Sequence, residues 1–275
     1  MMTGRLYIDG KDIYAEYGVY VVQGGWNELI AYPPLKPVDV NDWQEVDGVE
    51  ADLSSPVLDS KDNIRVNVAF TQFENGFMKL VEQLSNGSYH ILDCVYIRRR
   101  YKLRLTAVQT LNRAIDLGEA TLKFVDDFPL QDYNYAPPIS NITGVEDYYV
   151  DGKNLAEYGV SVLNGTLDEV MRMPAVKTNL LRNISINSGA LYDDKEVRYR
   201  SKNAKIYCLL RADTLDNLWR NYDALLFDLI RPGERVLKVG SREFSFYYKD
   251  SQVSRFYPDG KIWLEFVITV NIIRE

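Results

Sequence analysis

Residues able to do acid–base, nucleophilic or metal chemistry are few in this chain. Its only histidine is His90, and its only cysteines are Cys94 and Cys208. A Ser-His-Asp or Cys-His arrangement would have to use His90, and a zinc site with two histidines cannot form within one chain. Two cysteines do not build a disulfide framework, and they are typical of a reducing compartment. We therefore expect no enzyme activity, no cofactor and no metal site.

Acidic residues are numerous but dispersed. They are not spaced like a calcium-binding loop, and no pair stands out as the two carboxylates of a glycosidase. They can form a solvated surface, or they can repel phosphate where a channel carries DNA. The positions concerned are Asp39, Asp42, Glu45, Asp47, Glu50, Asp52, Asp126, Asp127, Asp193 and Asp194.

Four cations alternate along the segment from Val95 to Leu105. A strand would place them on one face, because side chains alternate with a period of two. Such a face is either solvated, in contact with an acidic neighbouring protein, or in contact with nucleic acid. The net charge of −7 disfavours specific nucleic-acid binding, since phosphate contacts dominate that affinity. The four residues are Arg98, Arg100, Lys102 and Arg104.

Aromatic residues supply further candidates for a protein interface. Trp26, Tyr32 and Trp43 lie between Gln23 and Lys61, a long segment rich in Pro, Gly and Asp without a periodicity that would bury them. Interfaces are enriched in Tyr and Trp. Trp263 lies in a closing strand with apolar residues on both faces, which is expected if a neighbouring subunit covers it.

Length and composition indicate a folded protein of about two domains. The chain has 275 residues, of which 46% are hydrophobic and 26% charged. The N-terminus lacks an apolar signal-peptide core. The longest apolar stretch, from Ile262 to Ile273, is interrupted by polar residues and is shorter than the roughly 20 residues of a membrane span. We expect a soluble protein that is intracellular when made and has no membrane partner.

An internal repeat organises the chain. The block from Tyr7 to Val21 returns from Tyr149 to Val162, and ten of fourteen compared positions are identical when Tyr14 is treated as an insertion. A repeat of this length is a whole domain rather than a solenoid unit. Each block opens on an Asp-Gly pair that is typical of a two-residue hairpin turn.

Both halves continue with the same predicted elements. An alternating strand is followed by one amphipathic helix and three more strands. His90 belongs to one of these strands, where we expect an ordinary structural residue. In the first half the predictions are strands Ile64–Phe70, Tyr89–Leu92, Val95–Leu105 and Ala120–Val125, with a helix around Phe77–Leu84. In the second half they are strands Ala204–Leu210, Arg235–Val239, Glu243–Tyr248 and Ile262–Ile272, with a helix from Leu215 capped by Asp213 or Thr214.

These elements predict a mainly β fold of two tandem domains, each with one flanking helix. The predicted domains are residues 1–128 and 148–275. A linker at residues 129–147 contains Pro137-Pro138. Long segments inside compact domains are usually functional or ordered by a partner, and here they run from Gln23 to Lys61 and from Asn164 to Asn203.

The second half resembles the N-terminal domain of distal tail proteins of tailed bacteriophages, and both halves resemble the tail-tube fold. The similarity lies in the helix from Leu215 to Phe227, the turn Arg231-Pro232-Gly233 and the strands that follow, including Phe244–Tyr248 and Ile262–Ile272. It implies two β-sandwich or barrel domains in a non-catalytic, ring-forming component of a phage or prophage tail or baseplate. It implies as partners copies of the same chain, the tail tube and baseplate proteins. The location would be the host cytoplasm during assembly and then the virion tail.

Two questions stay open at this level. A tail tube of this family has sixfold symmetry, which three two-domain chains or six chains can match, so the resemblance implies a trimer or a hexamer. A monomer that assembles only on the tail is a further alternative. The alternative function is a non-catalytic carbohydrate- or peptide-binding pair of β-sandwiches, suggested by the aromatic residues from Trp26 to Trp43. Such a protein would normally carry a secretion signal.

Overall fold

Two seven-stranded antiparallel sheets, one in each half of the chain, dominate the fold. The computed structural model describes residues 6–130, 133–141, 147–177, 182–183, 188–191 and 197–274. All strands of the first sheet lie between Tyr7 and Asp126, and all strands of the second lie between Tyr148 and Arg274. We call the two halves repeat 1 and repeat 2.

Repeat 1 contains nine strands and three α-helices in its described part. The strands are β1 (Tyr7–Ile8), β2 (Lys11–Asp12), β3 (Val19–Val21), β4 (Val40–Asn41), β5 (Glu50–Ala51), β6 (Lys61–Phe70), β7 (His90–Cys94), β8 (Arg99–Ala114) and β9 (Leu117–Asp126). The helices are α1 (Ile13–Tyr17), α2 (Asn27–Ile30) and α3 (Met78–Leu84), and a π-helical turn (Phe73–Phe77) leads into α3.

Repeat 2 has corresponding elements. The strands are β10 (Tyr148–Val150), β11 (Lys153–Asn154), β12 (Val160–Val162), β13 (Arg182–Asn183), β14 (Ala190–Leu191), β15 (Lys202–Ala212), β16 (Arg235–Val239), β17 (Arg242–Tyr257) and β18 (Ile262–Arg274). The helices are α4 (Thr166–Met171) and α5 (Leu215–Leu229), and a 3-10 turn (Leu155–Tyr158) stands in the place of α1.

The strand order is the same in both sheets. It is β2-β1-β7-β8-β9-β6-β3 in repeat 1 and β11-β10-β16-β17-β18-β15-β12 in repeat 2. Each strand of the first sheet therefore has a counterpart at the same place in the second. The predicted mainly β fold of two similar β domains is confirmed.

The Asp-Gly pairs make the predicted hairpin turns. Asp9 and Gly10 both have left-handed backbones, with φ of 50° and 81°, as the twist of a two-residue hairpin requires. The Asp9 carboxylate also accepts a hydrogen bond from the Ile91 amide at 2.9 Å and contacts His90 Nδ1 at 2.7 Å. Arg235 takes the place of His90 in repeat 2, where it donates to Asp151 at 2.7 Å. The contact made by His90 thus fastens a turn, as expected of a structural residue.

Helix α5 is the long amphipathic helix that the sequence predicts. Of its two candidate N-caps, Thr214 is the one whose side chain accepts a hydrogen bond, from the Asn217 amide at 3.1 Å. The buried side chains of α5 include Leu218, Tyr222 and Leu225. They share the core of repeat 2 with the sheet, so hydrophobic burial positions this helix.

The short helices are additional to the single helix predicted for each repeat. The residues just before the Gly-Val pair of each repeat form one helical turn, which precedes β3 in repeat 1 and β12 in repeat 2. Each turn ends at a left-handed glycine, Gly18 with φ of 64° and Gly159 with φ of 72°. A glycine in this conformation ends a helix and redirects the chain. The alternation of apolar residues does not reveal such a helix end.

The basic segment differs from its prediction as a continuous strand. Val95–Ile97 is a 3-10 turn, and Arg98 has a left-handed backbone with φ of 53°. Cys94 of β7 pairs directly with Arg99 of β8, so the four residues between them must reverse the chain. Arg98 therefore lies in a connection and does not share a strand face with Arg100.

Two lysines, half-buried Lys61 and buried Lys202, cap the short helices α2 and α4. Lys61 Nζ donates to Leu29 O at 3.1 Å and to Ala31 O at 2.5 Å. Lys202, its counterpart in repeat 2, donates to Val170 O at 2.6 Å. These carbonyls lie at helix C-terminal ends, where the helix itself provides no donor.

Stability should depend on pH through Lys61. Burial lowers the pKa of its ammonium to about 7, although nearby carboxylates act in the opposite direction. Between this value and the ordinary pKa of 10.5, the unfolded chain binds a proton that the folded chain does not. The free energy of unfolding contributed by Lys61 should therefore rise from about pH 7 to about pH 9.5. Urea titrations should show the difference between wild type and Lys61→Met growing with pH. The exposed Lys205→Met serves as the control, and an equal trend there would contradict this assignment.

Candidate functional site: the junction between the repeats

The long segment at residues 23–61, here called the arm, leaves repeat 1 and lies on repeat 2. The Leu35 amide donates to Lys249 O at 2.7 Å, and the Gly233 amide donates to Leu53 O at 2.7 Å. The arm carries only α2 and the small β4–β5 hairpin. It is therefore ordered by contact with the other repeat of its own chain.

Tyr32 anchors the arm. Its side chain is 4% exposed, and its ring stacks on Tyr222 with 3.9 Å between the ring centroids. The Tyr32 hydroxyl donates to Tyr222 O at 2.6 Å, and its amide donates to Ser251 Oγ at 2.7 Å. Burial raises the pKa of Tyr32 well above its usual value, so the hydroxyl stays protonated and can donate. A large aromatic surface is thus buried with its polar end satisfied.

Lys177 of repeat 2 holds the tip of the arm. Its ammonium donates to the carbonyls of Trp43, Val46 and Gly48 at 2.6, 2.7 and 2.6 Å. These three bonds match its three N–H donors. Asp42 supplies a negative charge 2.6 Å away, and the lysine is 1% exposed. A buried ammonium with such partners fixes the path of the arm, because moving the arm would leave the charge unpaired.

Gly48 lies where the arm passes closest to repeat 2. Its amide donates to Tyr199 O at 2.8 Å. A Cβ at this position would be 1.8 Å from Ile273 O, and the backbone is left-handed with φ of 72°. Both the space and the conformation therefore require glycine.

A second contact joins the β7–β8 connection to α5. Trp219 Nε1 donates to Ile97 O at 2.7 Å, and Arg99 donates to Asp223 at 2.5 Å. The Arg99 guanidinium also lies 4.3 Å from the centroid of the Trp219 ring. Arg98 pairs with Asp216 at 3.2 Å, but both side chains are mostly exposed. The half-buried ion pair at this contact is made by Arg99, which the alternating pattern places on the opposite face from the four predicted cations.

The four predicted cations do not form one free basic face. Arg98 contacts Asp216 across the junction, and Arg104 pairs with Asp127 at 2.6 Å. Arg100 and Lys102 are exposed on β8. A period of two predicts sides of a strand, but it does not show where the strand starts or which cations already have partners.

The aromatic residues predicted to lie at an interface fall into a buried pair and a more exposed pair. Trp26 is 5% exposed and Tyr32 4%, so both are buried inside this chain and offer no surface to another molecule. Trp43 is 55% exposed, with Nε1 donating to Glu50 at 3.0 Å. Trp263 is half-exposed and stacks on Tyr257 at 4.2 Å between centroids. Trp43 and Trp263 remain candidates for contacts with another protein.

Sequence reasoning missed Lys177 and Asp223 as well as Arg99. Single charged residues outside any pattern give no signal, and only the fold brings them to the junction. Part of the predicted linker packs against α5. Ile139 exchanges two hydrogen bonds of 2.7 Å with the Asn221 side chain of α5.

The described residues show no group of three or more His, Cys, Asp or Glu side chains that could hold a metal ion. Both cysteines are free and buried, and burial raises the pKa of the Cys94 thiol. Among the helices that the structure describes, none is long and apolar enough to cross a membrane. The contacts at the junction are those of one protein surface on another.

Replacing Lys177 should release the arm. Methionine cannot donate to the three carbonyls, of which that of Gly48 is buried, so Lys177→Met should lower the free energy of unfolding by about 3 kcal/mol. It should also speed protease cleavage within residues 36–60. The control is Lys205→Met, at an exposed position of β15 outside the junction, which should change stability by less than about 0.5 kcal/mol. Equal effects of the two variants would contradict the role given to Lys177.

Gly48→Ala should displace the arm for a steric reason. The clash with Ile273 O and the left-handed strain together should cost more than about 2 kcal/mol. Gly189 gives a matched control, because it has φ of 86° and nothing within 4 Å of an added Cβ. Gly189→Ala should cost only about 1 kcal/mol from backbone strain in the dilute protein. Thermal unfolding of both variants measures the difference, and similar losses would show that the close approach at Gly48 is unimportant.

Comparison with known proteins gave one similar solved structure to report. No family model and no curated protein matches this chain. The Dit protein of phage SPP1, described as a paradigm of the hub adsorption apparatus in phages that infect Gram-positive bacteria, is 16% identical. The match has a TM-score of 0.35 and covers 47% of this chain. The matched region covers 50% of the length of the Dit protein.

Proposed function

We propose that this chain is a non-catalytic structural subunit of a phage or prophage tail or baseplate, and that its copies assemble into a ring. The observation that carries the proposal is the junction, in which two units of the same fold dock through two different surfaces. Repeat 1 contributes the arm and the β7–β8 connection, while repeat 2 contributes α5, β17 and Lys177.

Contacts of this kind lead to rings. When one patch meets a different patch on a like unit, repetition by rotation either closes a ring or continues as a filament. An isologous contact would instead stop at two units. The junction is therefore the first step of a circular arrangement, already made within one chain.

The resemblance to tail-tube domains supports the choice of a phage tail. With two such domains per chain, three copies would match a sixfold tube, and we favour a trimer over a hexamer. The tail tube and baseplate proteins would be the further partners. Assembly would take place in the host cytoplasm before incorporation into the virion tail. Nothing in this role requires catalysis, a cofactor or a membrane.

The carbohydrate- or peptide-binding alternative has less support. It depended on exposed aromatics between Trp26 and Trp43. Trp26 and Tyr32 are buried within the chain, so they cannot form a binding surface together with the exposed Trp43.

Mass measurement in solution tests the ring. Analytical ultracentrifugation over a wide range of protein concentration should show monomers converting to a closed trimer, and negative-stain images should show rings. A strict twofold dimer at all concentrations would contradict the proposal, because it requires an isologous contact. Binding to a glycan array by a chain that stays monomeric would favour the alternative function.

A further inference from the structure

The two repeats carry equivalent arms. Leu35 bridges to Leu58 in the first, and Val176 bridges to Tyr199 in the second. The β4–β5 hairpin and the β13–β14 hairpin also pair in the same register when 141 is added to each residue number. The same shift aligns Tyr32-Pro33 with Met173-Pro174. Positions that the structure describes in both arms can therefore be compared.

Three covered apolar residues of the first arm have exposed apolar counterparts in the second. Trp26 and Tyr32 are 5% and 4% exposed, and Leu35 is half-buried. Their counterparts are Leu167 at 49%, Met173 at 67% and Val176 at 41% exposure. Repeat 2 thus displays the anchoring side of a junction with its apolar residues uncovered.

Repeat 1 displays the receiving side. Strands β8 and β17 share a bulge at the same place, between Leu105 and Ala107 and between Tyr248 and Asp250. This aligns Leu105 with Tyr248 and Thr106 with Lys249, the residue that accepts the Leu35 amide.

Helices α3 and α5 align through a shared contact. Tyr17 donates to Gln83, and its counterpart Tyr158 donates to Asp228. Met78 then corresponds to Asp223, which lies at the junction in repeat 2.

The receiving surface of repeat 1 is apolar. Met78 is 40% and Leu111 43% exposed, and Leu105 and Val108 are half-buried. Lys36, the counterpart of the buried Lys177, is also exposed there. Apolar side chains at these positions suit Met173 and Val176, whereas the corresponding surface of repeat 2 suits Tyr32.

We infer that a second copy of this chain occupies this surface, so that repeat 2 of one copy docks on repeat 1 of the next as repeat 1 docks on repeat 2 within the chain. Met173 and Val176 of one copy pack beside Leu105 and Val108 of the next. This inference rests on the proposed function and specifies the contact through which the ring closes. Both halves are exposed in the single chain, so the contact is made between copies.

Engineered disulfides test the pairing directly. The Leu35 amide is 2.7 Å from Lys249 O, so residues at the corresponding positions Val176 and Thr106 lie side by side in the inferred contact. The double variant Val176→Cys/Thr106→Cys should form disulfide-linked multimers under mild oxidation. The ladder on a non-reducing gel should end at the number of copies in the ring. The native cysteines do not interfere, because both are 0% exposed.

Two matched controls accompany this variant. Leu35→Cys/Lys249→Cys should give a disulfide within one chain and no multimers. Lys205→Cys/Thr106→Cys should give no efficient crosslink, because Lys205 lies on β15 and its counterpart Arg65 pairs with Glu28 of its own repeat. Equal crosslinking of Lys205→Cys and Val176→Cys to Thr106→Cys would overturn the inference.

A charge at the anchor gives an independent measurement. Met173→Asp should weaken self-association at least tenfold while leaving the melting temperature nearly unchanged, since Met173 is 67% exposed in the single chain. Lys205→Glu serves as its control. A wild type that forms rings together with a Met173→Asp variant that assembles normally would overturn this contact but not the proposed function. A wild type that stays monomeric at every concentration and does not crosslink would overturn both.

Discussion

The rest of the structure depends on the need to cover the arm of residues 23–61. The arm has too little secondary structure to satisfy its own carbonyls or bury its own aromatics. Repeat 2 supplies both, with the Lys177 ammonium for three carbonyls and the Tyr222 ring for Tyr32. An aromatic ring left in water is unfavourable, and so is a carbonyl without a hydrogen-bond partner in a dry interface. The two repeats are therefore mutually dependent.

The inferred contact between copies follows from the duplication of the domain. The two repeats have the same strand order, and the described parts of their long segments pair in the same register. One chain uses only one arm and one receiving surface, and the remaining pair stays open. The repeats also differ at these positions, since Tyr32 is buried against Tyr222 whereas its counterpart Met173 is exposed in the single chain. In the proposed ring, different side chains at equivalent contacts would specify the order of the domains.

Charged side chains make contacts in three places, which are the hairpin turns, the helix ends and the junction. The Asp-Gly turns hold His90 in one repeat and Arg235 in the other, which shows that the position needs a hydrogen-bond donor rather than an imidazole. Lys61 and Lys202 satisfy helix ends from within each repeat. Arg99 and Lys177 act between repeats, where a cation can meet both a carboxylate and backbone carbonyls.

The sequence alone determined the duplication, the mainly β class, the Asp-Gly hairpins and helix α5, because each rests on local periodicity or turn chemistry. It also pointed to the scarcity of catalytic groups, since a single histidine is a matter of counting. Only the tertiary structure decided that Trp26 and Tyr32 are buried, that Arg98 belongs to a turn, and that Arg99 reaches Asp223. The outcomes for Tyr32 and Arg99 depend on contacts between residues more than a hundred positions apart, and the turn at Arg98 depends on how β7 pairs with β8. Neither composition nor a short-range pattern records which distant surface covers a side chain.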